Sequence, residues 1–411
     1  MSDSSSLQPE LPDDLHPDTL ALRVSIPRSR YGEHSEALYL TSSFVQSGAE
    51  SSADRFARPD EGYTYTRTSN PSVTAFERRL AALEGAETAV ATASGMSAIL
   101  LMALGLLQAG DHVVCSRSLF GSTMRLLGAE LARFGVQTSF VSQTDVAQWR
   151  AAMRPETRLL FAETPTNPLT EVCDIAALAA IAHETGALLV VDNCFATPVL
   201  QRPLELGADL VIHSGTKFLD GQGRVMAGAI CGSHEIVTDR LKMLIRSAGM
   251  VLSPFNAWVV HKGMETLSLR VQAQSAKALE LARWLESHPA VEQVFYPGLP
   301  SHPQHELAMT QQSGVGGAVI AFRVRADNAE QARARAFHVI DSTRVCSITT
   351  NLGDVRTLIS HPASTSHGRL SEDERQAAGV SQGLLRLAVG LEHVPDIQRD
   401  LSLGLDSCDP L

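Results

Sequence analysis

From Pro71 to Cys231 the chain alternates short β-rich runs with helical ones, and no other feature limits its fold as much. The expected strands are Thr88–Ala93, His112–Cys115, Val136–Val141, Arg158–Glu163, Ala187–Asp192, Asp209–His213 and Ala227–Cys231. Helical spacing predicts helices over Val73–Leu83, from Ser94 and Gly95 onward, and over Ser122–Phe134, Val146–Met153 and Ile175–Thr185. Short strands alternating with helices mean an α/β fold with a mostly parallel central sheet covered on both faces. Ligands of such sheets sit beyond the carboxyl ends of the strands, so the chemistry belongs to residues that directly follow strands.

After about His261 the pattern changes. A long helix over Met264–Glu286 leads to strands at Val291–Tyr296, Ala318–Val324 and Leu384–Val389, with helices at Ala329–Val339 and near Val394. A chain of 411 residues is too long for one ordinary core. The expected division is an extended arm over 1–70, a large domain over 71–262 and a smaller α+β domain over 263–411. Within the arm, the first 18 or so residues read as disordered, with Pro9, Pro12 and Pro17 opposing a helix.

Composition narrows the partners. A net charge of -11 argues against nucleic acid, which needs clustered cations, but allows a small anionic ligand. Met1–Pro12 lacks the apolar core of a signal peptide, and the apolar helix near Ala98–Leu107 is too short for a bilayer, so no membrane is expected. The cysteines (Cys115, Cys173, Cys194, Cys231, Cys346 and Cys408) are scattered, with no C-x-x-C pair. Buried free thiols and a reducing cytoplasm follow.

Four local signals carry chemistry. His213-Ser214-Gly215-Thr216-Lys217 ends a strand with two hydroxyls and a lysine, able to grip a phosphate and condense with a carbonyl. Alone, it also fits a surface lysine. Val190-Val191-Asp192-Asn193 places an acid at the end of an apolar strand, where it needs a cationic partner such as a pyridinium N–H. A helix cap or metal ligand reads the same way. Ala93-Ser94-Gly95-Met96-Ser97 opens a helix whose free N–H groups suit a phosphate, though an ordinary N-cap serine has the same form. Tyr63-Thr64-Tyr65-Thr66-Arg67 puts Tyr65 and Arg67 on one side of an extended segment, as a phosphate clamp or as a solvated arm.

Taken together these are the parts of a pyridoxal 5'-phosphate site, and the chain resembles the cystathionine γ-synthase (Cys/Met metabolism) family from about Thr19 to its end. The resemblance is carried by YTYTRTSNPS at 63–72, TASGMSAI at 92–99, ETPTNP at 163–168, VVDN at 190–193, HSGTKFLDG at 213–221, HPASTSH at 361–367 and LLRLAVGLE at 384–392. It implies the fold type I, aspartate aminotransferase-like architecture. It also implies that Lys217 carries the cofactor and moves a proton between Cα and Cβ, while Asp192 faces the pyridine nitrogen. Ser94, Gly95, Met96, Ser214 and Thr216 would hold the phosphate, with Tyr65 and Arg67 contributed by a neighbouring subunit. Arg386, Asn167 and Asn351 would bind the substrate: Arg386 as a bidentate fork on its carboxylate, and Asn167 near that carboxylate and the cofactor's 3′-oxygen. A homo-oligomer follows, at least a dimer, with a tetramer as the family habit.

Three departures bear on the reaction. Phe120, in Leu119-Phe120-Gly121-Ser122-Thr123, stands where most members stack a tyrosine, so it keeps a ring but no phenol to protonate a leaving group. Thr350, in Thr349-Thr350-Asn351-Leu352-Gly353-Asp354, replaces an acid used by members that handle cystathionine. The runs at 218–225 and 252–258 resemble bacterial O-succinylhomoserine sulfhydrylases. The expected reaction is γ-replacement in methionine biosynthesis: O-succinyl-L-homoserine and sulfide give L-homocysteine and succinate. O-acetylhomoserine as the ester, a cystathionine γ-synthase or γ-lyase, and an inactive binding protein of the same fold remain alternatives. Arg125, Arg224 and Arg246 are candidates for the acyl carboxylate, each equally readable as half of an ion pair. Gly221-x-Gly223 lacks the spacing of a dinucleotide loop, and His302 with His305 lacks a third metal ligand. His361 and His367 are expected to order the loop beside Arg386.

Overall fold

The computed structural model describes residues 11–407 except 13, 59–61 and 369–370. Its first sheet contains β1 (Thr88–Thr92), β2 (His112–Ser116), β3 (Gln137–Val141), β4 (Thr157–Glu163), β5 (Leu188–Asp192), β6 (Leu210–Ser214) and β7 (Gly228–Gly232), in the order β1-β7-β6-β5-β4-β2-β3. Every neighbouring pair is parallel except the two that involve β7. The expected strands appear at the expected places, shifted by a residue or so at their ends.

Alternation along each strand divides the core. Val113, Leu159, Phe161, Val190 and Ile212 pack on one face with helix Gly95–Leu106. Val114, Leu160, Ala162, Leu189 and Val191 pack on the other with Trp149 and helix Ile175–Glu184. Both faces are apolar because both are covered, which is why these strands read as unbroken apolar runs. The second sheet contains β8 (Val291–Phe295), β9 (Val319–Val324), β10 (Ser347–Ile348), β11 (Leu358–Ser360) and β12 (Leu384–Ala388), in the order β10-β11-β12-β9-β8. Helices Leu267–Ser287, Ala329–Ser342 and Val394–Leu405 cover one of its faces.

Three expectations need correction. Pro17 does not oppose a helix: it starts one, Pro17–Arg23, because a proline at the first helical position removes only an N–H that would lack a partner anyway. Ala21 of that helix is buried against the main core, so disorder does not extend to residue 18; residues 1–10 and 13 lie outside the described residues. The helix expected from Met264 is two helices, Pro254–Met264 and Leu267–Ser287, parted at Glu265–Thr266. The arm, read as extended, also holds helix Ala49–Ala57. It is tied down through Glu36, which pairs with the fully buried Arg79 at 2.9 Å, with His261 at 3.1 Å and with Lys262.

Candidate active site

The carboxyl ends of β5 and β6 converge with the start of helix Gly95–Leu106. Ser94 caps that helix, its hydroxyl accepting from the Ser97 N–H at 3.1 Å, and the first-turn N–H groups have no partner within the helix. A Cβ on Gly95 would lie 3.0 Å from the Ser214 Cβ, and one on Gly228 only 2.1 Å from the Ser94 carbonyl oxygen. Glycine at both positions lets the Ser94–Met96 turn close onto Ser214, leaving hydroxyls and free N–H groups on one concave edge. That edge fits a phosphate. Thr216 is turned toward β7, its hydroxyl bonded to Ala227.

Asp192 closes β5. It accepts from the Cys194 N–H at 3.0 Å, and burial raises its carboxyl above the usual carboxylate range. A partly buried acid in that position suits a cationic N–H partner. Lys217 follows β6, and its Nζ donates to Asn351 Oδ1 at 2.7 Å. Burial, then the Arg386 charge, lowers this amine below the ordinary lysine value. Asn351 sits in a loop pressed onto the lysine's own backbone, where Gly353 takes φ +78° and a Cβ would meet the Phe218 nitrogen at 2.6 Å.

Arg386, in the middle of β12, is 3% exposed. It donates to Asn167 Oδ1 at 3.0 Å and to the carbonyls of Thr350 and Asn351 at 2.9 and 3.0 Å. Its Nε is buried without a partner. No carboxylate among the described residues offsets the burial that lowers this guanidinium to about 10. A buried cation lacking an anion is unfavourable, and a ligand carboxylate would supply the missing charge.

Lys217, Asn351, Arg386 and Asn167 thus form one hydrogen-bonded chain linking the two sheets. Phe120 follows β2 and opens helix Gly121–Arg125, with its ring 36% exposed. Thr123 of that helix reaches the Met96 sulfur at 3.8 Å. Tyr65 and Arg67 are not drawn into this group within one chain: Arg67 stacks over the Tyr65 ring and donates to the Arg246 carbonyl. Of the other arginines, Arg224 is occupied by Asp220 at 2.8 Å and Arg125 by Glu130 at 3.1 Å. His361 bonds Ser364 and the Gln382 carbonyl, each at 2.8 Å, and His367 is buried beside Arg386. His302 and His305 face backbone groups, and among the described residues no cluster of three or more ligating side chains could hold a metal.

Sequence reasoning missed Glu163 as a site residue. It ends β4 in register with Asp192 and is 5% exposed. Its carboxylate accepts from the Phe120 N–H at 2.8 Å and from the Asn167 N–H at 3.1 Å. Burial and the Asp192 charge raise it to about 8. The available signal was two acids ending adjacent apolar strands. Sequence reasoning also missed Glu84, fully buried, which pairs with His213 and accepts from Asn193 at 3.0 Å behind the ends of the strands.

Comparison with known proteins gives the family and the fold. The model of the Cys/Met metabolism PLP-dependent enzyme family matches residues 18–406. The chain is 56% identical over 388 residues to an O-succinylhomoserine sulfhydrylase of Pseudomonas aeruginosa, covering 94% of each chain. It is 45% identical to one of Mycobacterium tuberculosis, covering 98% of this chain and 100% of that one. The crystal structure of cystathionine gamma synthase from Xanthomonas oryzae pv. oryzae, in complex with aminoacrylate and cysteine, superposes with a TM-score of 0.90 at 34% identity, covering 96% and 98% of the two chains. The chain is an enzyme of fold type I that depends on pyridoxal 5'-phosphate, and it belongs to the Cys/Met metabolism family.

Proposed function

We propose that the enzyme replaces the γ-substituent of a homoserine ester, converting O-succinyl-L-homoserine and sulfide into L-homocysteine and succinate in methionine biosynthesis. One observation carries the amino-acid part of this reading: a buried Arg386 with no acid partner among the described residues, linked through Asn351 to Lys217. Its likeness to the two sulfhydrylases supports the choice of ester and of sulfide.

The residues divide the work. Ser94, Gly95, Met96, Ser214 and, once its hydroxyl leaves Ala227, Thr216 would hold the cofactor phosphate, and Asp192 would pair with the pyridine N–H. Pyridoxal phosphate, when bound, supplies the electron sink for negative charge at Cα and Cβ. Arg386 and Asn167 hold the substrate α-carboxylate. Burial and the Arg386 charge favour the neutral Lys217 amine, whose Nζ takes the Cα proton and exchanges protons at Cβ; Asn351 orients that amine. Phe120 stacks without offering a proton, which suits a leaving carboxylate and disfavours a leaving thiolate. Succinate leaves Cγ with its bonding pair once Lys217 has taken a proton from Cβ, and sulfide then adds at Cγ as Lys217 returns a proton to Cβ. Tyr65 and Arg67 complete the phosphate site of a neighbouring subunit, so the working unit is at least a dimer. Strongly exposed apolar residues on the arm, Val45 at 97% and Phe56 at 70%, support a covered arm. Among the described residues no helix is long and apolar enough to cross a membrane, and five cysteines are free. The latter favours a reducing cytoplasm.

Steady-state assay tests the reading. Homocysteine should form only when sulfide and an acylhomoserine are both present, faster with the succinyl than with the acetyl ester. Rapid release of 2-oxobutanoate from methionine would refute it in favour of a γ-lyase.

A further inference from the structure

We infer that Glu163 is a positioning residue: its single carboxylate ties the backbone of Phe120 to that of Asn167, setting the ring-bearing loop and the carboxylate-binding loop against each other. The inference rests on the site assignment proposed above. Phe120 follows β2 and Asn167 follows β4, so two separate loops meet on one side chain. Each oxygen is taken by a different N–H, Oε2 by Phe120 at 2.8 Å and Oε1 by Asn167 at 3.1 Å.

Only a carboxylate can do this from that position. A glutamine has one acceptor and would turn its NH₂ group against the second N–H, and an aspartate is one methylene shorter. The placement is costly, because Glu163 is buried beside Asp192 and both carboxyls are raised by burial. The two N–H bonds pull Glu163 back toward ionisation. A cationic ring N–H on Asp192 would cancel the like-charge repulsion, so the doubly accepting form is strongest when the cofactor site is filled. The consequences reach both functional groups: Asn167 Oδ1 accepts from Arg386, and Phe120 leads into the helix whose Thr123 touches Met96.

The test is amide hydrogen exchange resolved at Phe120 and Asn167, in wild type and Glu163→Gln, with and without cofactor, followed by steady-state kinetics. In wild type both amides should exchange slowly despite lying in loops. In the variant one of them should exchange about tenfold faster, the equivalent of one lost hydrogen bond, while residues 158–162 of β4 keep their rates. If Asn167 is the one released, KM for the amino acid should rise about tenfold with kcat maintained. If it is Phe120, kcat should fall and the cofactor's near-violet absorbance band should shift. Wild-type rates at both amides in the variant, or acceleration spread evenly along β4, would overturn the proposal. So would fast exchange at both amides in wild type, a result that needs no variant to fold. Slow exchange at both amides in a protein that shows no near-violet band would support the clamp and count against the site assignment instead.

Discussion

Single side chains here are defined by what burial does to their charge. Arg386 is buried with no carboxylate partner among the described residues, and its planar fork is already engaged on Asn167, Thr350 and Asn351. Arg386→Lys cannot reproduce those three bonds together with a ligand carboxylate. KM for the acylhomoserine should rise by about a hundredfold, the cost of a lost charge-assisted bond, with a smaller effect on kcat; unchanged KM would refute the role. Phe120→Tyr restores a phenol where none exists. It should increase 2-oxobutanoate release from methionine at least several-fold over wild type, measured with sulfide absent; no increase would mean that the missing acid is not what suppresses elimination. Asp192 ends β5, Arg386 lies within β12 and Lys217 follows β6, each inside a motif, so all three stand out as candidates in the sequence. Glu163 does not, although its strand does. Its partners are main-chain N–H groups, one of them 43 residues away, and such bonds leave no trace in residue identity.

At the level of elements, most boundaries follow from periodicity, and the misses have two causes: one residue type can both break and begin a helix, and a helix can part where no breaker stands. Pro17 begins one. The break at Glu265–Thr266 carries neither Gly nor Pro, so nothing in the local sequence announces it. Two-residue β10 and three-residue β11 are too short to show alternation; β11 forms on the edge of β12, and β10 on the edge of β11. Ser94 joins an element to the site, since its hydroxyl caps helix Gly95–Leu106 on the phosphate side. Ser94→Ala should lower unfolding free energy by about 1 kcal/mol and weaken cofactor retention, read by denaturant titration and by dialysis of the holoenzyme. Loss of neither would mean that the cap is dispensable.

For the molecule as a whole, pH and assembly are the accessible tests. Burial lowers His302 and His367 to about 4, with the Arg386 charge adding to the effect on His367. Unfolded imidazoles titrate near 6.5. Above that value both histidines are neutral in either state. As pH falls from about 6.5 toward 4 the unfolded chain binds protons that the folded chain refuses, so stability is lost across that window. The urea midpoint should decline there, less steeply in His302→Gln; identical slopes for variant and wild type would discount His302. Arg67→Ala should weaken cofactor affinity at least several-fold by equilibrium dialysis, with the fold retained by circular dichroism; unaltered affinity would argue against a site shared between subunits.

The bonds that hold Arg386 run to Asn167 from the first sheet's loops and to Thr350 and Asn351 from the second's. In the proposed reaction, recognition of the amino acid's common end would therefore be anchored at the seam between the two halves, apart from wherever the departing acyl group is read. Natural or laboratory selection could exchange one ester, or one incoming nucleophile, for another by remodelling outer loops, without touching the grip that every substrate of this design requires.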